Sequence, residues 1–567
     1  MDCCAQKIIR VASRSAVIGV AVWLLASQAD AAPLYRSIDG SGNNIANPGW
    51  GAAGTELLRL AAPAYGDGIS SLAGAGRPSA RAVSNAVSAQ SGPTLNSKGA
   101  TDFLWQWGQF LDHDIDLTHT GAIPAPIPIP TGDPVFDPQG TGVQVMSFTR
   151  SEGSGSPRQQ ANSITAFIDA SNVYGSDAAT ANSLRAFSNG LMKVTASANG
   201  DLLPLVNTPQ GPMFLAGDVR ANEQSALTAM HTLFVREHNR LAGDIAAANP
   251  GFTDEQIYQE ARKLVGAMIQ SVTYNEFLPM ILGNGAPGAY TGYDAGVNPG
   301  IANEFSTAAY RFGHSMLSET LLRLDENGDV IANGNLPLAQ AFFNPSHILD
   351  PGNGGIEPIL RGLSQQVAQE VDPQVIDAVR NLLFGPPGFG FDLAALNMQR
   401  GRDHGLPSYN DLRAIILGVD KFTGWDDPDL NFLPGVKEAL MAVYASIDDV
   451  DLWAGGLSES HVNDGMMGEL FAAIMLDQFE RLRVGDRFWY ENGLFEQEWM
   501  DFILGSSLRE IVMRNTGIGS MQVNAFLVSA PESLALFGLG LTILALTRRR
   551  REGRLQVLAR ALPAHVG

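Results

Sequence analysis

The 567-residue chain reads as mainly α-helical, a single large helical domain with few short strands. Three observations predict this. Windows such as "TDEQIYQEARKLVGAMIQSV" set Ile257, Ala261, Leu264, Val265, Met268 and Val272 at helical spacing behind a Thr253/Gln256 capping box, and "SALTAMHTLFVREHNRLAGDI" repeats the period one helix earlier. Strand signals are few and short, as in "DENGDVIANG", where Asn327-Gly328 suggests a hairpin turn. No repeat or linker divides residues 100–527, and 45% hydrophobic content is ample for one large core.

Taken in order, residues 1–31 read as a secretory signal peptide. Lys7, Arg10 and Arg14 are its basic end, "AVIGVAVWLLA" its apolar centre and "ADA" before Ala32 a small-residue cleavage site. Both cysteines, Cys3 and Cys4, fall inside it. The mature protein is therefore expected to be exported and free of cysteine, with neither a disulfide framework nor a thiolate site. Residues 32–99 are rich in Gly, Ala and Ser with few large apolar groups, and read as an N-terminal arm, loop-rich and wrapped on the domain. Residues 100–527 are the helical domain, with a Pro-rich loop, "GAIPAPIPIPTGDPVFDPQGTG", inside it. Then "APESLALFGLGLTILALTRRRR" places about 15 mostly apolar residues before an arginine cluster, short against the roughly 20 that match a bilayer core. Two readings of residues 528–551 stand. One is a membrane anchor with its arginines cytoplasmic. The other is a sorting segment resembling the PEP-CTERM signals that exosortases process, with Pro531-Glu532-Ser533 in place of Pro-Glu-Pro. Residues 552–567 form a basic tail.

Without residues 1–31 and 531–567 the chain keeps 28 basic and 54 acidic side chains, a formal charge of −26. Such a surface repels nucleic acid and anionic membranes. A solvated acidic surface by itself assigns no function.

The stretch "GQFLDHDID", residues 108–116, crowds Asp112, Asp114 and Asp116 around His113. Phe103, Leu104, Trp107, Phe110 and Leu111 predict a helix over 102–116, on which Gln109, Asp112 and His113 share one face. Asp114 lies about 100° round the axis and faces another way. An EF-hand fails here, because its sixth and twelfth positions hold Leu117 and Ile123 instead of Gly and Glu. A zinc site lacks convergent histidines, and no HExxH pattern is present. Alone, the stretch is also readable as a solvated acidic helix end.

Later stretches change its meaning. "TAFIDASNVYGS" offers Thr165, Asp169 and Ser171 at alternate positions with the Phe167 carbonyl between them, which in an extended loop suits a hard cation needing about seven oxygens. Asp114 can complete that cage. "AGDVRANEQSALTAMHTLFVREHNRLA" sets Arg220 and Glu223 three apart at a helix start, "AAYRFGHSML" offers His314, and "LNMQRGRDHGLPSYN" offers Asn397.

Together and in this order, these stretches resemble the animal-type haem peroxidases of the peroxidase and cyclooxygenase superfamily. The likeness runs from about residue 100 to 525 and includes "YNEFLPMILG" and "GGIEPILRGL". It implies a secreted haem peroxidase that uses hydrogen peroxide to oxidise small donors, whether halide, thiocyanate or phenol, through a ferryl haem radical. His113 would be the distal base, with Gln109 beside it and Arg220 as the distal arginine. His314 would be the axial ligand of the haem iron, with Asn397 on its other ring nitrogen. Asp112 and Glu223 match carboxylates ester-linked to haem b. Asp114, Thr165, Phe167, Asp169 and Ser171 match a Ca2+ site, and Asp116 has no implied role. A neutral imidazole can move a proton near neutral pH, and a permanent guanidinium charge stabilises developing negative charge, so the implied roles are chemically coherent. His119, His231, His238 and His404 read as packing or surface histidines, and Arg311 as either a propionate partner or a packing residue.

Departures from the family pattern narrow the reading. Gln224 follows Glu223 where myeloperoxidase-like sequences carry a methionine bonded to the haem, so a third covalent link is not expected and donors easier to oxidise than chloride are favoured. A fatty-acid dioxygenase of the same superfamily is the first alternative. Cyclooxygenases carry a tyrosine three residues before the proximal histidine, where this chain has Arg311, and Tyr310 is one position off. The second alternative is a non-catalytic, calcium-stabilised adhesion or matrix protein, which loss of His113 or Arg220 would have favoured. The expected partners are hydrogen peroxide and a small electron donor, with no nucleic acid and exosortase-type processing at the membrane.

Overall fold

The computed structural model describes residues 35–209 and 211–528. The signal peptide expected over 1–31, the anchor or sorting segment beyond Val528 and the basic tail lie outside the described residues. Among those described, no helix is long and apolar enough to cross a membrane.

Helices dominate, and the named strands pair only as two-stranded antiparallel sheets among the described residues. Helix α1 (Phe103–Ile115) sinks Phe103, Leu104, Trp107, Phe110 and Leu111 completely. Its neighbour α2 (Ser225–Ala248) opens where the Gln224 side chain accepts the Ala226 amide. The two interlock through aromatic rings. Phe110 stacks on Phe234 at 4.9 Å, and Trp107 tilts against each at 5.9 Å. Helix α3 (Asp254–Val272) carries the capping box anticipated at Thr253 and Gln256 and packs on α2. These helices belong to one continuous hydrophobic core.

Two later helices hold the segment that carries His314, a 3₁₀ run over Ala309–Ser315. Helix α4 (Leu393–Asp403) starts at Asp392, whose carboxylate accepts the Ala395 amide. Helix α5 (Leu452–Ser458) contributes Trp453, whose indole N–H donates to the Arg311 carbonyl at 3.2 Å. That helix approaches closely because it has glycine where it touches. A Cβ on Gly455 would lie 2.3 Å from Tyr409, and one on Gly456 would lie 2.1 Å from Phe471.

Residues 35–99 lie along this body through isolated bridges and buried charge. The Leu57 and Leu58 amides donate to the Gln160 and Ile301 carbonyls, each at 2.8 Å. Arg81 is fully buried and bonds both Asp133 and Asp392 at 2.7 Å. Removing one partner of such a pair costs about 3 to 5 kcal/mol, because the other charge stays buried.

The structure corrects three local expectations. The Pro-rich stretch is not all loop: Thr120–Pro124 pairs with Thr149–Ser151, and Ile127–Pro128 with Val145–Met146. These ribbons have two strands, so every strand is an edge and proline's missing N–H costs no ladder bond. The hairpin turn at Asn327-Gly328 forms, but the arms of "DENGDVIANG" make only a single antiparallel bridge, Val330 to Leu324, instead of strands. There the Asp325 carboxylate accepts the Asn327 and Asp329 amides and closes a tight turn. The segment 165–171 is bent instead of extended, with Ala170 at φ 63° and Ser171 opening a short helix.

Candidate active site

Helix α1, the turn before α2 and the 3₁₀ segment meet around one cavity of about 470 Å3. From α1 come Gln109, Asp112 and His113, from the turn Arg220 and Glu223, and from the 3₁₀ segment His314. Leu317, Leu338, Phe342, Leu393 and Leu396 give it apolar wall. Arg220 and Glu223 precede the helix instead of starting it, joined by the Glu223 amide on the Arg220 carbonyl at 2.8 Å.

Arg220 is held from three sides. Asp218 accepts from Nε and Nη2, both at 2.9 Å, Asp112 accepts from Nη1 at 3.1 Å, and the Asp116 carbonyl accepts from Nη2 at 2.8 Å. Burial would depress the Arg220 pKa, but Asp218 and then Asp112 outweigh it and raise it further. Asp116, unassigned from the sequence, thus anchors the guanidinium through its backbone as α1 ends.

His113 is buried, with Nδ1 turned toward Asp218 Oδ1 at 3.5 Å and lacking a hydrogen-bond partner. Burial first and Arg220 second push its pKa well below the ordinary histidine value, while Asp218 pulls the other way. The imidazole is therefore neutral at neutral pH. Burial alone would raise Asp218, yet Arg220 holds its carboxyl below the usual range. Sequence reasoning missed Asp218, and its only signal was an acid two residues before Arg220.

Gln109 belongs to an amide chain. Its Nε2 donates to Glu223 Oε2 at 3.0 Å, and its Oε1 accepts from Gln224 Nε2 at 3.0 Å. Gln224 also donates to Gln106 at 2.5 Å. Burial pushes Asp112 and Glu223 up to about 7 against the pull of Arg220.

On the 3₁₀ segment, the Asn397 amide nitrogen lies 2.8 Å from His314 Nδ1. Arg311 donates to Asn397 Oδ1 at 3.3 Å and to the Ser306 carbonyl at 2.9 Å. Burial, then Arg311, pushes His314 down to about 3. Arg400, not singled out from the sequence, also reaches the cavity, beside Arg311. Of the other histidines, His231, His238 and His404 are buried and His119 is exposed. His231 lies nearest the site, its ring 6.1 Å from that of His113 and its Nδ1 3.1 Å from the Asn172 carbonyl.

Asp114 turns away from the cavity, as its position on the helix requires. Its carboxylate accepts the Ser171 amide at 2.5 Å and the Ala170 amide at 3.1 Å, and its carbonyl accepts the Ser171 hydroxyl at 2.8 Å. Asp169 Oδ1 accepts from Thr165 Oγ1 at 3.0 Å, while Asp169 Oδ2 has no hydrogen-bond partner and faces the Arg36 guanidinium at 3.9 Å. Both carboxyls are pushed up, first by burial and, for Asp114, next by Asp169. Phe167 packs its ring under Gly51, where an added Cβ would lie 2.6 Å away. Among the described residues no three His, Cys, Asp or Glu side chains converge as a metal set. A cation here would need this carboxylate pair completed by hydroxyl and carbonyl oxygens, as calcium accepts.

Residues 35–526 match the family model described as animal haem peroxidase. Peroxinectin A of Dictyostelium discoideum is 37% identical over 87% of this chain and 95% of its own length. Lactoperoxidase of Mesocricetus auratus is 37% identical over 87% of this chain and 77% of its own. The chain spans only 37% of the peroxidasin homolog of Mus musculus. Among solved structures, Peroxidase A from Dictyostelium discoideum superposes with a TM-score of 0.80 at 35% identity, covering 87% of this chain and 99% of the other. The fatty acid alpha-dioxygenase of Oryza sativa shares the fold with a TM-score of 0.73 at 21% identity, covering 87% of each chain.

Proposed function

Because the chain belongs to the animal haem peroxidase family and is a haem-dependent peroxidase, we propose that haem b sits in the 470 Å3 cavity and that His113, Arg220 and His314 work on it there. The observation that carries this reading is that those three side chains, drawn from separate elements, line one cavity.

The residues fit the group. His314 offers Nε2 to the iron, because Nδ1 is engaged by Asn397. With a metal on Nε2 the ring proton would reside on Nδ1, and the Asn397 amide would turn Oδ1 to it, giving up the 3.3 Å contact of Oδ1 with Arg311. Arg311 and Arg400 supply cations for the propionates. Asp112 and Glu223, protonatable near neutral pH, are the carboxyls that would be esterified to haem methyl groups, each new O–C bond replacing a methyl C–H bond with hydrogen peroxide as the two-electron oxidant, reduced to water. Bound there, haem supplies cleavage of the peroxide bond and storage of the oxidising equivalents.

The chain's own groups manage charge and protons. Neutral His113, with Nδ1 toward Asp218, keeps Nε2 free to accept a peroxide proton and return it to the departing oxygen. Arg220 stabilises the negative charge that develops, and Asp218 keeps the guanidinium from swinging. Gln109, its carbonyl taken by Gln224 and one amide hydrogen by Glu223, orients water or a halide through its remaining amide hydrogen.

Donor choice follows from the mouth of the cavity. Phe384, which lines the cavity, and Phe343, which packs against it, are each 45% exposed, and both sit at positive φ, 59° and 50°. Bulky side chains rarely adopt that region, and such strain concentrates at functional sites. Their rings lie 5.0 Å apart, and Phe342 meets Phe384 at 5.2 Å. This aromatic rim favours phenols over bare halides. Steady-state kinetics of Phe384→Ala should show KM for a simple phenol raised about tenfold, the weight of a lost aromatic contact, with KM for iodide unchanged. Equal effects on both donors would remove the rim from donor recognition.

Calcium is the proposed occupant of the Asp114 and Asp169 pair, with Thr165, Phe167 and Ser171 supplying the remaining protein oxygens. A bound ion stabilises the fold by about 2.7 kcal/mol at a hundredfold excess over Kd. Denaturant titration should therefore show a calcium-dependent midpoint that EGTA lowers and that Asp114→Ala abolishes. A midpoint indifferent to calcium in the wild type contradicts the site.

A further inference from the structure

Asp102 precedes the first residue of α1, the position where an aspartate normally accepts an amide of the first turn. Its side chain makes no such bond. The buried carboxylate instead takes the Ser318 hydroxyl on Oδ1 at 2.9 Å, while Oδ2 has no well-aligned partner. The Trp105 indole Nε1 is the complementary orphan, buried and likewise without a well-aligned partner. The two are neighbours: burial raises Asp102 to about 7, against the opposing pull of the Trp105 N–H and the Ser318 hydroxyl.

Each end of this row meets a different space. Trp105 lines the proposed haem cavity. Ser318 lines a separate surface pocket of about 510 Å3, whose walls include Leu95, Glu319 and Asp377. The row Trp105, Asp102, Ser318 therefore crosses the wall between the cavity and the outside.

We infer that Trp105 is an electron relay, through which an aromatic amine docked in the surface pocket is oxidised without entering the haem cavity. The inference rests on the haem seat proposed above. Trp105 gives one electron to the peroxide-oxidised cofactor, and its Nε1 proton passes to Asp102 Oδ2, leaving a neutral indolyl radical. The docked amine then gives one electron to Trp105 as the proton returns from Asp102 to Nε1. The amine releases its own proton to water and leaves as a radical, so each peroxide consumes two amines and yields two waters. Glu319 and Asp377 offer carboxylate acceptors to the two N–H groups of a neutral aromatic amine, where a phenol has a single O–H, and exposed Leu95 offers its ring an apolar contact.

The test uses the full chain loaded with haem. Peroxide without donor should give an organic radical whose paramagnetic-resonance lines change on indole-deuterated tryptophan. The signal should vanish in Trp105→Phe and persist in Trp107→Phe, whose indole faces Thr273 at 3.3 Å and no carboxylate. Asp102→Asn, equal in shape, should slow oxidation of an aromatic diamine tethered to a polymer too large for the cavity by about tenfold relative to iodide, a barrier change of about 1.4 kcal/mol. A radical that survives Trp105→Phe, or both donors slowing alike in Asp102→Asn, overturns the relay while leaving the haem seat intact. A wild-type chain that takes up no haem overturns both.

Discussion

His314→Ala is expected to purify as a folded chain with almost no haem. Peroxidase turnover should fall by more than the roughly 10- to 100-fold that loss of an outer partner of a metal ligand costs. The fold should survive because the polar tie at this position, to the Asn397 amide at 2.8 Å, is replaced by space continuous with the cavity. Free imidazole should restore part of the haem absorption band, since it refills the space the side chain vacates. Haem content by absorption and metal analysis is the readout, independent of turnover. A variant that keeps stoichiometric haem removes His314 as ligand and revives the non-catalytic reading.

His113→Ala should behave in the opposite way, keeping its haem and losing its chemistry. General acid-base catalysis by a positioned side chain contributes roughly 10²- to 10⁴-fold, so the second-order rate of peroxide reaction should drop within that range. The rate at which an already oxidised enzyme consumes donors should change little, because His113 acts on the peroxide proton. Stopped-flow mixing with peroxide separates the two steps. Unaltered peroxide kinetics would mean that another group moves the proton, and buried His231, with its ring 6.1 Å from His113, is the nearest candidate.

What the sequence revealed was what local rules control. Helix α1 and the capping box of α3 were legible because apolar period and cap residues lie within one stretch of chain. The sharing of one face by Gln109, Asp112 and His113, with Asp114 turned elsewhere, followed from helical geometry alone. The 165–171 segment was misread as extended because its shape is imposed from outside: Asp114, on α1, accepts the Ala170 and Ser171 amides and bends it. Asp218 escaped notice because a turn, not a periodic element, points it at Arg220. Gln224 was read only as a missing methionine, although it caps α2 and orients Gln109. Arg400 and the aromatic rim come into view only when distant segments meet.

The most direct measurement of the haem seat is covalent retention. The haem-loaded full chain is treated with a little hydrogen peroxide and then extracted with acidified organic solvent. Haem should stay with the denatured protein and become extractable when Asp112 and Glu223, the two carboxyls that line the cavity, are both changed to alanine. Haem that extracts fully from the wild type after peroxide turnover would contradict the ester assignment, and a chain that never binds haem would contradict the site itself.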